Sequence, residues 1–211
     1  MAAGLRLELP AGDGSRVVAR RFDSAAPAGV VVIGAALAVP QAFYFDFAAW
    51  LAQQGFTALT FDYRGIGQGA PRSLRGFRAS IDDWIRHDYQ AVVVEARRLA
   101  GGLPLTVVGH SMGAQLVPLL PSAREAYARV RFPLLSLSFT DDRMMPERNI
   151  DALHAHLHGV LRQSLRLSPA DAGGPIGHVG FFRRRYRDSL WPVARDWIAA
   201  RSRSAGASRC C

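Results

Sequence analysis

An α/β domain built on a mostly parallel sheet is the fold class this sequence predicts. Three observations lead there. Short apolar runs alternate with stretches of helical periodicity along the whole chain. Val30–Ile33 is continuously apolar, as befits a strand covered on both faces. A glycine-flanked serine, Gly109-His110-Ser111-Met112-Gly113, follows the strand-like Leu105–Val108 and opens a helix.

The elements follow in order. Leu5–Leu9 and Arg16–Phe22 are two short strands joined by the turn residues Gly12-Asp13-Gly14, hence a hairpin. After Val30–Ile33, the residues Phe43–Gln54 carry helical spacing and stop at Gly55, a suitable residue just past a helix end. Thr57–Phe61 is the next buried strand. Ile81–Leu99 is a long amphipathic helix with Trp84, Ala91, Val92 and Ala96 on its apolar side, and Asp82 and Asp83 cap its start. Leu105–Val108 is a strand and a helix runs from Met112. Pro133–Phe139 is a strand, Ile150–Leu161 a helix and Leu165–Leu167 a short strand. Leu190–Arg201 closes the domain with Trp191 and Trp197 buried. Residues 1–201 thus read as one domain of about seven strands flanked by helices, and 202–211 as a flexible tail.

Composition excludes several classes. With 211 residues and 49% of them hydrophobic, the chain can bury a core without disulfide staples, and disorder, collagen and coiled coil are ruled out. The two cysteines, Cys210 and Cys211, are adjacent, so they build neither a disulfide framework nor a Cys-x2-Cys metal site. They read as exposed thiols on the tail. The net charge of +9 suggests a nucleic-acid or membrane-surface binder as a reading of another class. Every one of the 26 basic residues is arginine, however, a bias of coding composition more than of phosphate contacts. A solvated basic surface is the preferred reading, with neither nucleic acid nor membrane as partner. Met1–Pro10 has no apolar core of a signal peptide, and Val30–Leu51 is broken by Pro40, Gln41 and Asp46, so a cytoplasmic protein is expected.

The serine motif carries the chemistry. A sharp strand-to-helix turn strains the serine backbone, so the residues two before and two after it must lack a Cβ. The hydroxyl then stands above the sheet edge at a helix start, where developing negative charge is stabilised. A serine nucleophile needs a base, and the base an orienting acid. Thr140-Asp141-Asp142-Arg143 places two carboxylates at the end of the Pro133–Phe139 strand. Gly177-His178-Val179-Gly180 places a histidine in a glycine-flanked loop near the C-terminus. Serine, acid and histidine therefore occur in the order this architecture uses.

Taken with Val39-Pro40-Gln41, Phe61-Asp62-Tyr63-Arg64-Gly65-Ile66-Gly67 and Ile176-Gly177-His178-Val179-Gly180-Phe181-Phe182-Arg183, these motifs resemble the α/β-hydrolase superfamily, specifically a bacterial serine-hydrolase, esterase-like subgroup. The resemblance implies a triad of Ser111, Asp142 and His178, with Asp142 preferred over Asp141 because the family's acid lies four residues before a proline. It also implies an oxyanion hole from the backbone N–H of Met112 and of Ala35, although the Gly34-Ala35-Ala36 loop lacks the His-Gly pair of many relatives. Asp62 and Arg64 would buttress a loop. No cofactor and no metal are implied, and the partner is a small acyl ester.

One departure stands out. Relatives carry a sixth strand and a helical cap between the nucleophile helix and the acid strand, and the stretch from Leu120 to Phe132 is too short for both. Pro133–Phe139 is therefore expected to slide beside Leu105–Val108 through one right-handed crossover. The competing account is an abridged, inactive remnant. The remaining histidines read as structural: His110 packs in the elbow, His87 has no evident partner, and of His154, His156 and His158 only the outer pair share a helix face. Arg183–Arg187 reads as a solvated helix start.

Overall fold

The computed structural model describes residues 4–122, 133–155 and 161–207. Their packing divides the chain into two compact units, Met1–Glu125 with Ala199–Cys211, and Ala126–Ile198. His156, His158, Cys210 and Cys211 lie outside the described residues.

The first unit is organised by five strands: β1 (Leu5–Pro10), β2 (Arg16–Phe22), β3 (Gly29–Gly34), β4 (Phe56–Phe61) and β5 (Leu105–Gly109), in spatial order β1-β2-β4-β3-β5. The fully buried β3 and β4 form its centre, as their continuous apolar runs require. β3 pairs in parallel with β4 on one side and β5 on the other, with Gly34 opposite Gly109. The hairpin imposes the other pairings. β1 and β2 turn back on each other at Asp13, and β2 runs antiparallel against β4. Helix α1 (Phe45–Gln53) follows a 3-10 turn over Gln41–Tyr44, and Gly55 after it has φ +91°, a backbone that favours glycine.

The long helix of the first unit is not uniform. Ser80 caps it, with Asp83 closing a capping box. A π segment spans Trp84–Tyr89 before the regular α2 (Gln90–Ala100). The cap residue is thus Ser80, and Asp82 instead pairs with Arg86. The helix after Ser111 is short, α3 (Met112–Gln115), and gives way to a 3-10 turn at Val117–Leu119. Pro118 explains the break, since it has no N–H to continue the ladder.

In the second unit β6 (Pro133–Phe139) and β7 (Leu161–Leu167) pair in parallel along seven residues each. Helix α4 (Glu147–Ala155) precedes β7 and carries the buried His154. The final helix α5 runs over Trp191–Ala207, through residues 202–207 of the segment read as tail.

The α/β class holds, with two corrections to the sheet. The seven strands among the described residues are split five and two, and the larger sheet is mixed because the hairpin brings in two antiparallel ladders. Within the first unit β5 takes β3 as its ladder partner, and within the second β6 takes β7. β7 is also longer than the expected Leu165–Leu167 strand, and its first residue falls at the end of the expected helix Ile150–Leu161. Trp191 is buried as expected, whereas Trp197 is half-buried.

A buried ion pair holds the loop after β4 to the hairpin and the helix. Asp88, 1% exposed at its side chain, accepts from the Arg64 backbone N–H at 2.8 Å and from its Nε at 2.9 Å. Arg64 also reaches Asp13 at 2.6 Å and Ser15 at 2.9 Å in the hairpin turn. Removing the guanidinium would leave a buried carboxylate uncompensated, which costs about 3–5 kcal/mol. Arg64→Ala should lower the unfolding free energy by that order in urea titration, whereas a loss below about 1 kcal/mol would show an inconsequential surface pair.

Candidate active site

Ser111 is separated from the end of β5 by one residue and has an L-residue backbone conformation that few side chains adopt: φ is +52° and ψ −118°. Ser111 and Ala38 are the only non-glycine residues with positive φ among those described. Such a conformation costs of order 1–3 kcal/mol and persists only where the surroundings fix it.

The two flanking glycines provide that fixation. A Cβ on Gly109 would stand 2.7 Å from the Ala114 Cβ and closer still to its backbone. One on Gly113 would meet the Gly34 carbonyl and lie 2.7 Å from the Ala35 oxygen. The glycines therefore let α3 lie directly against the ends of β3 and β5. The His110 N–H donates to the Gly34 carbonyl at 2.9 Å, extending the β3–β5 ladder into the elbow. Tyr89, wholly buried, donates its hydroxyl proton to the Gly113 carbonyl at 3.2 Å. Its ring carbon Cζ would lie 2.8 Å from a Cβ on Gly34, which is why that position too is glycine.

The backbone donors expected for the oxyanion hole lie around this junction. Met112 is the first residue of α3, and among the described residues its N–H meets no acceptor, as at any helix start. The Ala35 N–H, just past β3, likewise has none, while the Ala36 N–H donates to Tyr44 Oη at 2.9 Å. Tyr44 also shares a 2.9 Å hydrogen bond with His110 Nδ1. His110 is buried and packs edge-on against Tyr44, in keeping with a structural role. Burial pushes the Tyr44 phenol well above its ordinary range, so it is neutral at any working pH.

Tyr44 is itself held from below. The buried Asp62 carboxylate accepts from the Gln41 N–H at 2.7 Å, from Gln41 Nε2 at 2.8 Å and from the Gln68 N–H at 2.9 Å. Gln41 accepts in turn from Thr60 at 2.9 Å. Gln41 opens the 3-10 turn that ends at Tyr44, so the charge of Asp62 fixes the turn that presents the phenol. Asp62 is thus a buttress, as its motif suggests.

In the second unit the acid and the histidine come together. Asp142, in the turn after β6, meets His178 Nδ1 through Oδ2 at 2.8 Å. Its other oxygen accepts from the N–H of Met144 at 2.9 Å and of Met145 at 3.0 Å. Asp141 does a different job: its Oδ2 accepts from the Ile176 N–H at 2.8 Å, tying the histidine loop to the β6 turn. Tyr186 and Arg185 hold the same loop through the Pro175 carbonyl. Phe181 stacks on Phe139, and Trp191 donates to the Phe181 carbonyl at 2.6 Å. Of the two adjacent carboxylates, Asp142 is the one on the ring. Ser111, Met112 and Ala35 belong to the first unit, Asp142 and His178 to the second.

Sequence reasoning missed Tyr44, Tyr89 and the tether role of Asp141. Tyrosines on helical turns carry no motif, and no spacing rule links them to the serine. Among the described residues no group of three or more His, Cys, Asp or Glu could hold a metal, and no helix is long and apolar enough to cross a membrane.

Burial pulls the Asp142 carboxyl upward, but the hydrogen bonds from His178 and from the Met145 and Met144 N–H groups outweigh it and hold it below its ordinary 3.8. A carboxyl lowered on folding stabilises the native state above its unfolded value, and that contribution is lost as pH falls through the folded value. The thermal midpoint of the wild type should therefore drop below about pH 4. Asp142→Asn should drop less steeply over the same range. Identical acid slopes for the two would show that the pair is not coupled to folding.

Comparisons with known proteins bear on this arrangement. Residues 25–121 match the family model described as serine aminopeptidase, S33. No curated protein matches the chain. Among solved structures, an α/β serine hydrolase without lid from Xanthomonas campestris superposes with a TM-score of 0.66 at 16% identity, covering 93% of this chain and 96% of its own. A Pyrococcus furiosus esterase gives 0.68 at 12% identity over 92% and 89%. An α/β serine hydrolase homologue from Coxiella burnetii gives 0.61 at 13% over 95% and 98%. At these identities the likeness is one of fold. The family match extends over residues 25–121, just under half of the chain, and agrees with that fold.

Proposed function

We propose that the chain is an α/β-hydrolase that cleaves carboxylic esters through an acyl-enzyme on Ser111. The observation that carries the reading is the strained Ser111 backbone between two glycines that cannot be replaced, because strain of this kind is retained where a side chain must be presented for chemistry. The fold neighbours and the family match support a hydrolase; the ester bond and the residue roles are our assignment.

The roles follow from the bonding of each group. Ser111 Oγ attacks the acyl carbonyl, and His178 Nε2 takes its proton. In this assignment Nδ1 keeps its bond to Asp142 while Nε2 acts as the base. Asp142 fixes the tautomer and stabilises the imidazolium, while its second oxygen is already committed to backbone N–H groups. The carbonyl oxygen becomes an oxyanion held by the N–H groups of Met112 and Ala35. Collapse of the tetrahedral species expels the alcohol, which His178 protonates. Water, activated by the same imidazole, then releases the acid and restores Ser111. The chemistry draws on no cofactor or metal.

The substrate expectation comes from the short stretch between the nucleophile helix and the acid strand. A cap normally contributes remote binding energy along the acyl chain, and without one long substrates gain little rate over short ones. We expect short activated acyl esters, with weak chain-length discrimination. The test is kcat/KM for p-nitrophenyl esters from acetate to palmitate, with an aminoacyl p-nitroanilide alongside and Ser111→Ala as control. Rates that fall or stay level with chain length, and vanish in Ser111→Ala, are expected. A steep preference for long chains would contradict the substrate class, and a preference for the anilide would move the bond cleaved from ester to amide. Rates equal to Ser111→Ala on every substrate would favour the inactive remnant.

A further inference from the structure

We propose that Tyr44 is a positioning residue of the oxyanion hole, one that selects Ala35 as the second donor by engaging its neighbour. The proposal rests on the reading of Ser111 as nucleophile. Two consecutive N–H groups, Ala35 and Ala36, follow β3 beside the elbow, and both residues are buried. A hole needs one fixed donor from this loop, and two free ones would compete for the oxygen. Tyr44 Oη accepts from Ala36, which leaves the Ala35 N–H as the one without an acceptor among the described residues.

The same hydroxyl bonds to His110, the residue directly before Ser111. One oxygen atom therefore joins the loop after β3 to the nucleophile turn, in either tautomer of the histidine. Both segments it joins are ones that need holding. Ser111 has φ +52°, and Ala38 has φ +59° in the turn closed by the Val39 N–H on the Ala36 carbonyl at 3.1 Å. An alanine with positive φ at the third position of a tight turn relaxes unless its surroundings fix it. Tyr44, with none of its surface exposed and set by the Asp62–Gln41 bonds, is a rigid point from which to fix it.

Tyr44→Phe keeps the ring and removes the oxygen. The Ala36 N–H then has no acceptor, the loop relaxes, and Ala35 is no longer aimed. We expect kcat per active site, counted by burst titration with a fluorophosphonate, to fall about 10- to 100-fold on p-nitrophenyl acetate. KM should stay within about twofold, because the donor is used mainly in the transition state. The inhibition constant of a trifluoromethyl ketone should rise by the same factor as kcat/KM falls. A purely structural role would lower the titrated fraction and leave kcat per site and the ketone affinity unchanged, and that result would overturn the proposal.

A measurement on the wild type serves should the variant fail to fold. When the ketone binds, the amide protons of Met112 and Ala35 should move downfield in NMR while that of Ala36 stays. Movement of Ala36 in place of Ala35 would overturn the assignment. A wild type that neither titrates nor binds the ketone would instead refute the nucleophile reading, and this proposal with it.

Discussion

The close approach of α3 to the ends of β3 and β5 is the constraint on which the first unit is organised. It is possible only because Gly34, Gly109 and Gly113 carry no side chain where Tyr89, Ala114 and the Gly34–Ala35 backbone already stand. Once the helix lies that close, the chain between β5 and α3 has a single short turn in which to reverse, and Ser111 takes the strained conformation there. The parallel pairing of β3 with β5 supplies the rigid base, and the His110 bond to Gly34 continues it one residue further. Strain at the serine is thus offset by ordinary sheet pairing and by buried tyrosines. The backbone N–H groups of Met112 and Ala35 are left over as donors by that same geometry.

Buried polar groups then do for the loops what the apolar core does for the strands. Asp62 has three named donors around its carboxylate and Asp88 holds the Arg64 guanidinium. In a low-dielectric interior such groups are costly when unpaired, so their partners are confined to narrow positions. That is how a charge under β4 governs where Tyr44 stands. The second unit uses the same device. Two adjacent carboxylates divide the work, Asp141 fixing the histidine loop and Asp142 the ring it carries.

How much of this was legible depended on whether the signal was local. β3, β4 and the elbow were plain because burial on both faces leaves continuous apolar runs and because the glycines are a steric necessity. Only the end of β7 is legible: Arg162, Gln163, Ser164 and Arg166 dilute its apolar pattern, and Leu161 fits the expected helix before it. The pairing of β6 with β7 was not legible, since partner choice between strands is decided by long-range pairing and not by the pattern within either one. At the site, the adjacent Asp141 and Asp142 could be told apart in the sequence only through family resemblance. The bond to His178 separates them by geometry. Tyr44 left no trace in the sequence, because its importance lies in one hydroxyl set between residues 8 and 66 positions away.

The central claim is that the strained residue at the elbow is a nucleophile. The most direct measurement is covalent labelling of the native protein by a fluorophosphonate, followed by peptide mass mapping of the adduct. The account predicts a single phosphonyl group on Ser111, abolished by prior heat denaturation and absent from Ser111→Ala. An unlabelled native protein, or an adduct carried by another residue and retained in Ser111→Ala, would contradict it.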